Sequence, residues 1–386
     1  MERDRPSTNW NGADKSTPST AGAITAMFDS LDRPSICAFV SSLRNGISTH
    51  VSPQFTNGTR NLVIELCFSD GVVWIARLKI RREGEKHFEE SMNGEVRCMK
   101  LVRSRTGIPV PEVYAWDGGS QNPFGAPFIV MQAINGRQIS RHDPLFQTFK
   151  SKILEQMASI LIELSTVQCE TIESVDFPEV TDSETTSRRP TFDSAREFYS
   201  YYLDEDLQTT DSIPDHERET WIAENEKCRR LLRQIKLAIG PYPLTHIDFG
   251  LFNLLFDDGG NIVGVIDWTA AGVYPWEVFA QYPEPLRIWW PLRTVYPKER
   301  WEEIIEDQRY FKDALRKCER ERNLPEIVSS LISAESKIIA EGFLGVGLYP
   351  ETQRKQWMKI FDRIELRTTD PSYTPGSITF EEVRNM

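Results

Sequence analysis

The sequence predicts an α+β protein of two lobes: a small lobe built on an antiparallel sheet, then a larger and mostly helical one. Three observations point there. The chain has 386 residues, more than one hydrophobic core usually organises. Residues 51–80 alternate in polarity and are rich in β-branched and aromatic side chains, the period of strands. Beyond residue 135 the apolar positions recur every three and four residues, the period of helices.

Residues 1–25 are polar, carry Pro, Ser and Thr, and hold no apolar stretch of a secretory signal; they read as a disordered tail. The small lobe is expected over 26–134. Within it, Ser69-Asp70-Gly71 marks a hairpin turn between two strands. "TNGTRN", 56–61, is a Gly-containing loop leading into the first of them. Phe88, Met92, Val96, Met99 and Val102 predict a helix over 85–103. "GIPVPEVYAW" ends that helix, because each proline pushes its predecessor to extended geometry. "PFIVMQAI", 127–134, is long enough for one buried strand.

The helical lobe is expected over 135–366. Phe146, Phe149, Ile153, Met157, Ile160, Leu161 and Leu164 line one face of a helix over 145–167. A polar loop follows at 180–193, then helices over 194–208 and 216–238. Further helices are expected over 298–321, 325–342 and 350–366. The tail 367–386 has little apolar periodicity, and no internal repeat is present.

Composition narrows the class. Hydrophobic residues make up 40% and charged residues 26%, which suits a soluble globular chain. No apolar run approaches the ~20 residues needed to cross a bilayer, so no membrane partner is expected. The net charge of −12 argues against a nucleic-acid groove, which wants a basic face. It is compatible with a cationic substrate, and equally with plain solubility. The six cysteines, at 37, 67, 98, 169, 228 and 318, show no metal spacing and read as free thiols in a reducing compartment such as the cytosol. The five histidines form no HExxH pair, so a zinc site built on them is not expected.

The chemistry concentrates in "LTHIDFGLFNLLFDDGGNIVGVIDW", 244–268. "NLLF" and "NIVGVI" are apolar and separated by "DDGG", a strong hairpin signal in which Asp257 and Asp258 are turn residues. With the turn near 260, Asn253 falls roughly opposite Asp267, with room for the register to slip by a residue. One amide oxygen and one carboxylate then arrive together, a donor set for a hard divalent cation. Asp248, five residues earlier on a loop, suits a base that orients a nucleophile.

"THIDFGLFNLLF…VIDW" resembles the catalytic segment of the aminoglycoside phosphotransferase family, a protein-kinase-like branch that includes choline kinases. The resemblance implies a bilobal protein-kinase-like fold, ATP and Mg²⁺ as cofactors, and a small-molecule hydroxyl acceptor such as an aminoglycoside or choline. It makes Asp248 the catalytic Asp, Asn253 and Asp267 the Mg²⁺ ligands, and His246 a loop-positioning residue. Trp268 stands where protein kinases carry the Phe of D-F-G. In the first lobe, Asn57, Gly58 and Asn61 would form the phosphate-covering loop. Arg77 takes the strand position of the usual Lys, with Lys79 on the same face as the alternative, and Glu95 on the next helix would hold it. Met131, Gln132, Ala133 and Ile134 would form the adenine-facing hinge.

Protein kinase is the disfavoured neighbour. Gly250 replaces the Lys that many protein kinases carry two residues after the catalytic Asp, and D-F-G and A-P-E are absent. A nucleotide-binding pseudokinase acting as a scaffold stays open, on account of Arg77 and the thin phosphate loop. A metal-dependent hydrolase would need a second carboxylate cluster that the sequence lacks.

Overall fold

The computed structural model describes residues 6, 10, 18–80, 88–173, 190–208, 215–287, 297–344, 351–368 and 370. The chain divides into two units: Met1–Lys150 with Leu251–Ala271, and Ser151–Gly250 with Gly272–Met386. The fold is mixed α and β, with an antiparallel sheet in the first unit and helices dominating the second. The chain crosses from one unit to the other inside a helix, Pro144–Leu164, whose dihedrals turn non-helical at Phe149.

The first unit is built on β1 (Thr49–Asn57), β2 (Asn61–Phe68), β3 (Val73–Lys79), β4 (Val113–Asp117) and β5 (Phe128–Gln132), in the order β1-β2-β3-β5-β4 with every pairing antiparallel. Alternation sorts the two faces. Leu62, Ile64 and Leu66 of β2, Trp74, Ala76 and Leu78 of β3, and Phe128 and Val130 of β5 fill one buried core. The opposite face carries Val63, Glu65, Ile75, Arg77 and Met131. The turn signal at Ser69-Asp70-Gly71 forms as expected, with Gly71 at φ +84°.

Two helices precede the sheet and close its core face: α1 (Pro18–Asp29) and α2 (Arg33–Ser42). Ile24, Phe28, Ile36 and Val40 pack into the same core. Residues 18–25, expected as tail, therefore belong to a helix. The cap that starts α2 is legible: Asp32 Oδ1 accepts from Ser35 N at 3.1 Å, Oδ2 accepts from Ser35 Oγ at 2.6 Å, and a proline sits in the first turn. β1 is a further departure, since 49–57 was expected to end in a loop. Its register shifts between Val51 and Phe55 around Pro53, which erases the period-2 pattern there.

Helix α3 (Phe88–Arg105) follows β3; residues 85–87 of the expected helix lie outside the described residues. Leu254–Phe256 and Ile262–Val265 form the hairpin read from the sequence. It belongs with the sheet unit rather than with the helical lobe of 135–366. Backbone bonds explain why: Arg137 and Phe256 exchange N–H···O bonds at 3.0 and 2.9 Å, and Val265 N donates to Pro109 O at 2.8 Å. Gly136 allows the approach, since a Cβ there would sit 2.7 Å from Val263 Cγ2.

After α4, the helix Pro144–Leu164, the second unit contains α5 (Ala195–Gln208), α6 (Asp215–Gln234), α7 (Trp276–Phe279), α8 (Lys298–Glu321), α9 (Ile327–Leu331), α10 (Ala334–Leu344) and α11 (Glu351–Thr368). The expected helix 325–342 is two helices, because Ile332 turns extended (ψ 105°) and Ser333 Oγ caps Ser336 N at 3.2 Å. In the expected loop 180–193, residues 180–189 lie outside the described residues and Thr191–Phe192 pairs with Ile172–Glu173 as a short ladder. Tyr242–Thr245 is the central strand of a three-stranded sheet, flanked by Gln168–Cys169 and Gly272–Val273. No helix among the described residues is long and apolar enough to cross a membrane, and none of the six cysteines forms a disulfide.

Candidate active site

In the first unit the sheet and α3 bring three of the expected residues together. Arg77 lies mid-strand on β3, on the face away from the apolar core. Its Nη2 stands 2.5 Å from Glu95 Oε1 on α3. Its Nη1 donates to Asp267 Oδ1 at 3.3 Å, at the end of the hairpin. Burial by itself would push this guanidinium pKa down; the charges of Glu95 and Asp267 outweigh that and hold it above its usual value. The ion pair with Glu95 is made by Arg77, the choice favoured on position over Lys79. Lys79 ends β3 opposite Asn61 and donates its backbone N–H to Pro127 O at 2.9 Å.

Asp267 sits just past the hairpin strand with φ +59°, a left-handed conformation that an L residue adopts only under constraint. The constraint is visible. Trp268 is buried, donates its ring N–H to Val265 O at 3.0 Å, and its carbonyl accepts from Ala271 N at 3.0 Å to close a turn. Thr269, in that turn, donates its hydroxyl to Asp267 Oδ1 at 2.8 Å and lies 3.3 Å from Glu95 Oε2. The sequence reading passed over Thr269; next to "VIDW" it has the appearance of an ordinary turn residue.

Asn253 is buried at the end of a 3₁₀ turn, Leu251–Asn253, and its carbonyl accepts from Ile266 N at 2.9 Å. The register is Leu254↔Val265 and Leu255↔Gly264, so Asn253 faces Ile266 and Asp267 falls one residue beyond. The pairing is one position from Asn253–Asp267, within the one-residue slip the expectation allows. The turn centres at 259 rather than 260, on Phe256↔Ile262, and the bulge between Leu255 and Phe256 restores one of the two positions this would cost. The turn itself is built by Asp257, whose Oδ1 accepts from Gly259 N at 3.0 Å and Asn261 N at 2.8 Å. Among the described residues no group of three or more His, Cys, Asp or Glu is placed to hold a metal. An amide oxygen and a carboxylate remain, which is the donor chemistry a hard divalent cation takes.

The other first-unit candidates are set as follows. Asn57 ends β1 and Asn61 begins β2, with Gly58 N donating to Asn61 O at 3.0 Å and Asn57 Nδ2 to Gly58 O at 3.0 Å. "TNGTRN" is thus a tight hairpin turn with exposed Gly58 at its tip. In the hinge, Met131 and Gln132 are strand residues. Gln132 N already donates to Glu112 O at 2.8 Å, so the turn past the strand starts at Ala133. Ile134 packs against the hairpin, where a Cβ on Gly264 would lie 3.1 Å from its Cδ1.

In the second unit, His246 and Asp248 follow the central strand Tyr242–Thr245. His246 is 3% exposed and meets the Phe249 ring edge-on at 6.1 Å. Asp248 is exposed on that loop. Gly250, the position of the protein-kinase Lys, bridges to Glu284.

Solved structures share this architecture. A candidate fructosamine-3-kinase from Thermobifida fusca YX-ER1 is 16% identical, with a TM-score of 0.50, covering 86% of this chain and 99% of that one. A candidate aminoglycoside phosphotransferase from Ralstonia eutropha JMP134 is 14% identical, with a TM-score of 0.51, covering 86% and 95%. The fold is therefore that of the protein-kinase-like phosphotransferases. The model of the phosphotransferase enzyme family matches residues 54–278, more than half of the chain, and the chain belongs to that family. Among curated proteins, a subtelomeric hrmA-associated cluster protein of Aspergillus fumigatus is 28% identical over 115 residues, 30% of this chain and 21% of that protein. Altered inheritance of mitochondria protein 9 of Debaryomyces hansenii is 24% identical over 160 residues, 41% of this chain and 22% of that protein. The matched part spans about a fifth of the length of these curated relatives.

Proposed function

We propose that this chain transfers the γ-phosphate of ATP to a hydroxyl group of a small molecule. The observation that carries the reading is the single charged network of Arg77, Glu95 and Asp267, inside the span shared with the family. In such a network a cation steadied by a glutamate grips the α- and β-phosphates. Arg77 takes that role; its planar fork reaches phosphate bidentately, which a lysine cannot do. Asn57, Gly58 and Asn61 lie over the phosphates, and the backbone from Ala133 to Ile134 pairs with adenine. Asn253 and Asp267 would hold Mg²⁺, which when bound supplies charge compensation to the β- and γ-phosphates.

Asp248 orients the acceptor hydroxyl and takes its proton as the phosphoryl group leaves ADP. Its exposure suits a residue that must meet an incoming substrate. Buried His246 fixes the loop that presents it. Positioning and charge compensation provide most of the acceleration, because the phosphoryl group needs little covalent help. Acceptors worth assaying first are aminoglycosides, amino-alcohols and sugar-modified amines, the last suggested by the Thermobifida fold relative. Nothing in the site favours the scaffold alternative.

The test is turnover of γ-labelled ATP against that panel, with Asp248→Asn alongside. The variant is expected to lose about 10²–10⁴-fold in transfer while keeping its nucleotide-dependent thermal shift. Transfer at the wild-type rate by Asp248→Asn would remove Asp248 from the mechanism. Nucleotide binding without transfer to any acceptor would return the scaffold reading.

A further inference from the structure

We propose that Thr269 is a positioning residue that holds Asp267 for its divalent cation. The proposal rests on the reading of Asp267 as a metal ligand. Four side chains close a ring. Arg77 meets Glu95 Oε1 at 2.5 Å; Glu95 Oε2 lies 3.3 Å from Thr269 Oγ1; Thr269 Oγ1 lies 2.8 Å from Asp267 Oδ1; Asp267 Oδ1 returns to Arg77 at 3.3 Å.

A threonine hydroxyl has one proton to give. Both of its neighbours here are carboxylates, so it donates to one at a time. The shorter contact assigns the proton to Asp267 in this state. Glu95 stands within reach as the second acceptor, while its other oxygen stays on Arg77. A cation taken up by Asp267 would meet a carboxylate already oriented by this hydroxyl, and the charge-assisted hydrogen bond stays on Asp267.

The backbone makes this placement deliberate. Asp267 and Ala270 both have positive φ, +59° and +62°, and Thr269 lies between them in the turn anchored by Trp268. That geometry folds the Thr269 hydroxyl back onto the residue two before it. A valine has nearly the same shape but no proton, so Asp267 would lose the donor that fixes its orientation. A serine keeps the donor.

The experiment titrates Mg²⁺ at fixed ADP and reads the nucleotide-dependent rise in melting temperature, with no turnover involved. Thr269→Val and Thr269→Ala are compared with Thr269→Ser and wild type. Whichever of Val and Ala folds is expected to need about tenfold more Mg²⁺ for half-saturation, from one charge-assisted hydrogen bond. Ser is expected to restore the wild-type midpoint. Midpoints for Val and Ala equal to wild type would overturn the proposal, as would a Ser variant as impaired as Val. A lower melting temperature without ligand and an unmoved Mg²⁺ midpoint would mark a purely structural hydroxyl. A wild-type protein whose ADP response ignores Mg²⁺ would remove the metal-ligand reading of Asp267 itself, a distinct result.

Discussion

Glu277 gives the most direct physical prediction. It lies on α7, 1% exposed, with Oε1 accepting from Ala238 N at 2.7 Å. Oε2 is buried, with no hydrogen-bond partner among the described residues. Tyr199 of α5, fully buried, is close enough for the carboxylate charge to help raise its hydroxyl pKa well above the usual value, burial being the larger cause. Loss of water pushes the carboxyl pKa of Glu277 from its ordinary 4.5 to about 7, against the opposing pull of the Ala238 N–H. The folded pKa is raised, so the folded state binds the proton more tightly than the unfolded chain. Stability from this group is therefore full below pH 4.5 and is lost as pH rises to about 7, after which it is constant. At about 1.4 kcal/mol per unit, the loss is on the order of 3 kcal/mol. Glu277→Gln keeps the shape and the Oε1 acceptor but cannot ionise. Urea unfolding of both proteins from pH 5 to 8.5 should show the variant overtaking wild type as pH rises, with the gap levelling off above pH 7. A stability difference that does not change with pH would refute the burial argument.

Three further effects follow from single contacts. Gly342→Ala on α10 would place a Cβ 2.5 Å from Phe361 Cζ of α11, both residues being buried; overpacking of about 1–3 kcal/mol is expected, and an unchanged urea midpoint would contradict it. Arg354→Met on α11 removes the partner of Glu224 (2.8 Å) and Glu217 (3.0 Å) on α6; with Glu224 left buried, about 3 kcal/mol should be lost, measured by chemical unfolding. Asp257→Ala strips the hairpin turn of two backbone acceptor bonds, and a destabilisation of about 1–2 kcal/mol is expected by the same measurement.

Much of the arrangement was legible because it is periodic. β2, β3, β5 and the long helices announce themselves by spacing, and the strand period puts Arg77 and Lys79 on one face of β3. What the sequence hid are the interruptions. Pro53 and a register shift conceal β1. Helix α1 offers few apolar positions and starts inside the stretch expected as tail, and α2, within the expected small lobe, is betrayed chiefly by its Asp32-x-Pro-Ser cap. The turn centres one residue before 260 and a bulge follows between Leu255 and Phe256; neither leaves a compositional mark, and together they set Asn253 opposite Ile266.

The same distinction separates the residues that were found from the one that was missed. Arg77, Glu95 and Asp267 are charged, and charges set among apolar neighbours draw attention in any sequence. Thr269 carries no such signal. Its relevance arises only because Asp267 and Ala270 take left-handed dihedrals that no side-chain pattern encodes. Strain of that kind costs about 1–3 kcal/mol at each residue and persists only where surrounding packing enforces it, here the buried Trp268. The backbone that is hardest to read from sequence is therefore the backbone that orients the proposed metal carboxylate. The departures from regular structure in 251–271 are best understood as the means by which an otherwise periodic hairpin aims one side chain.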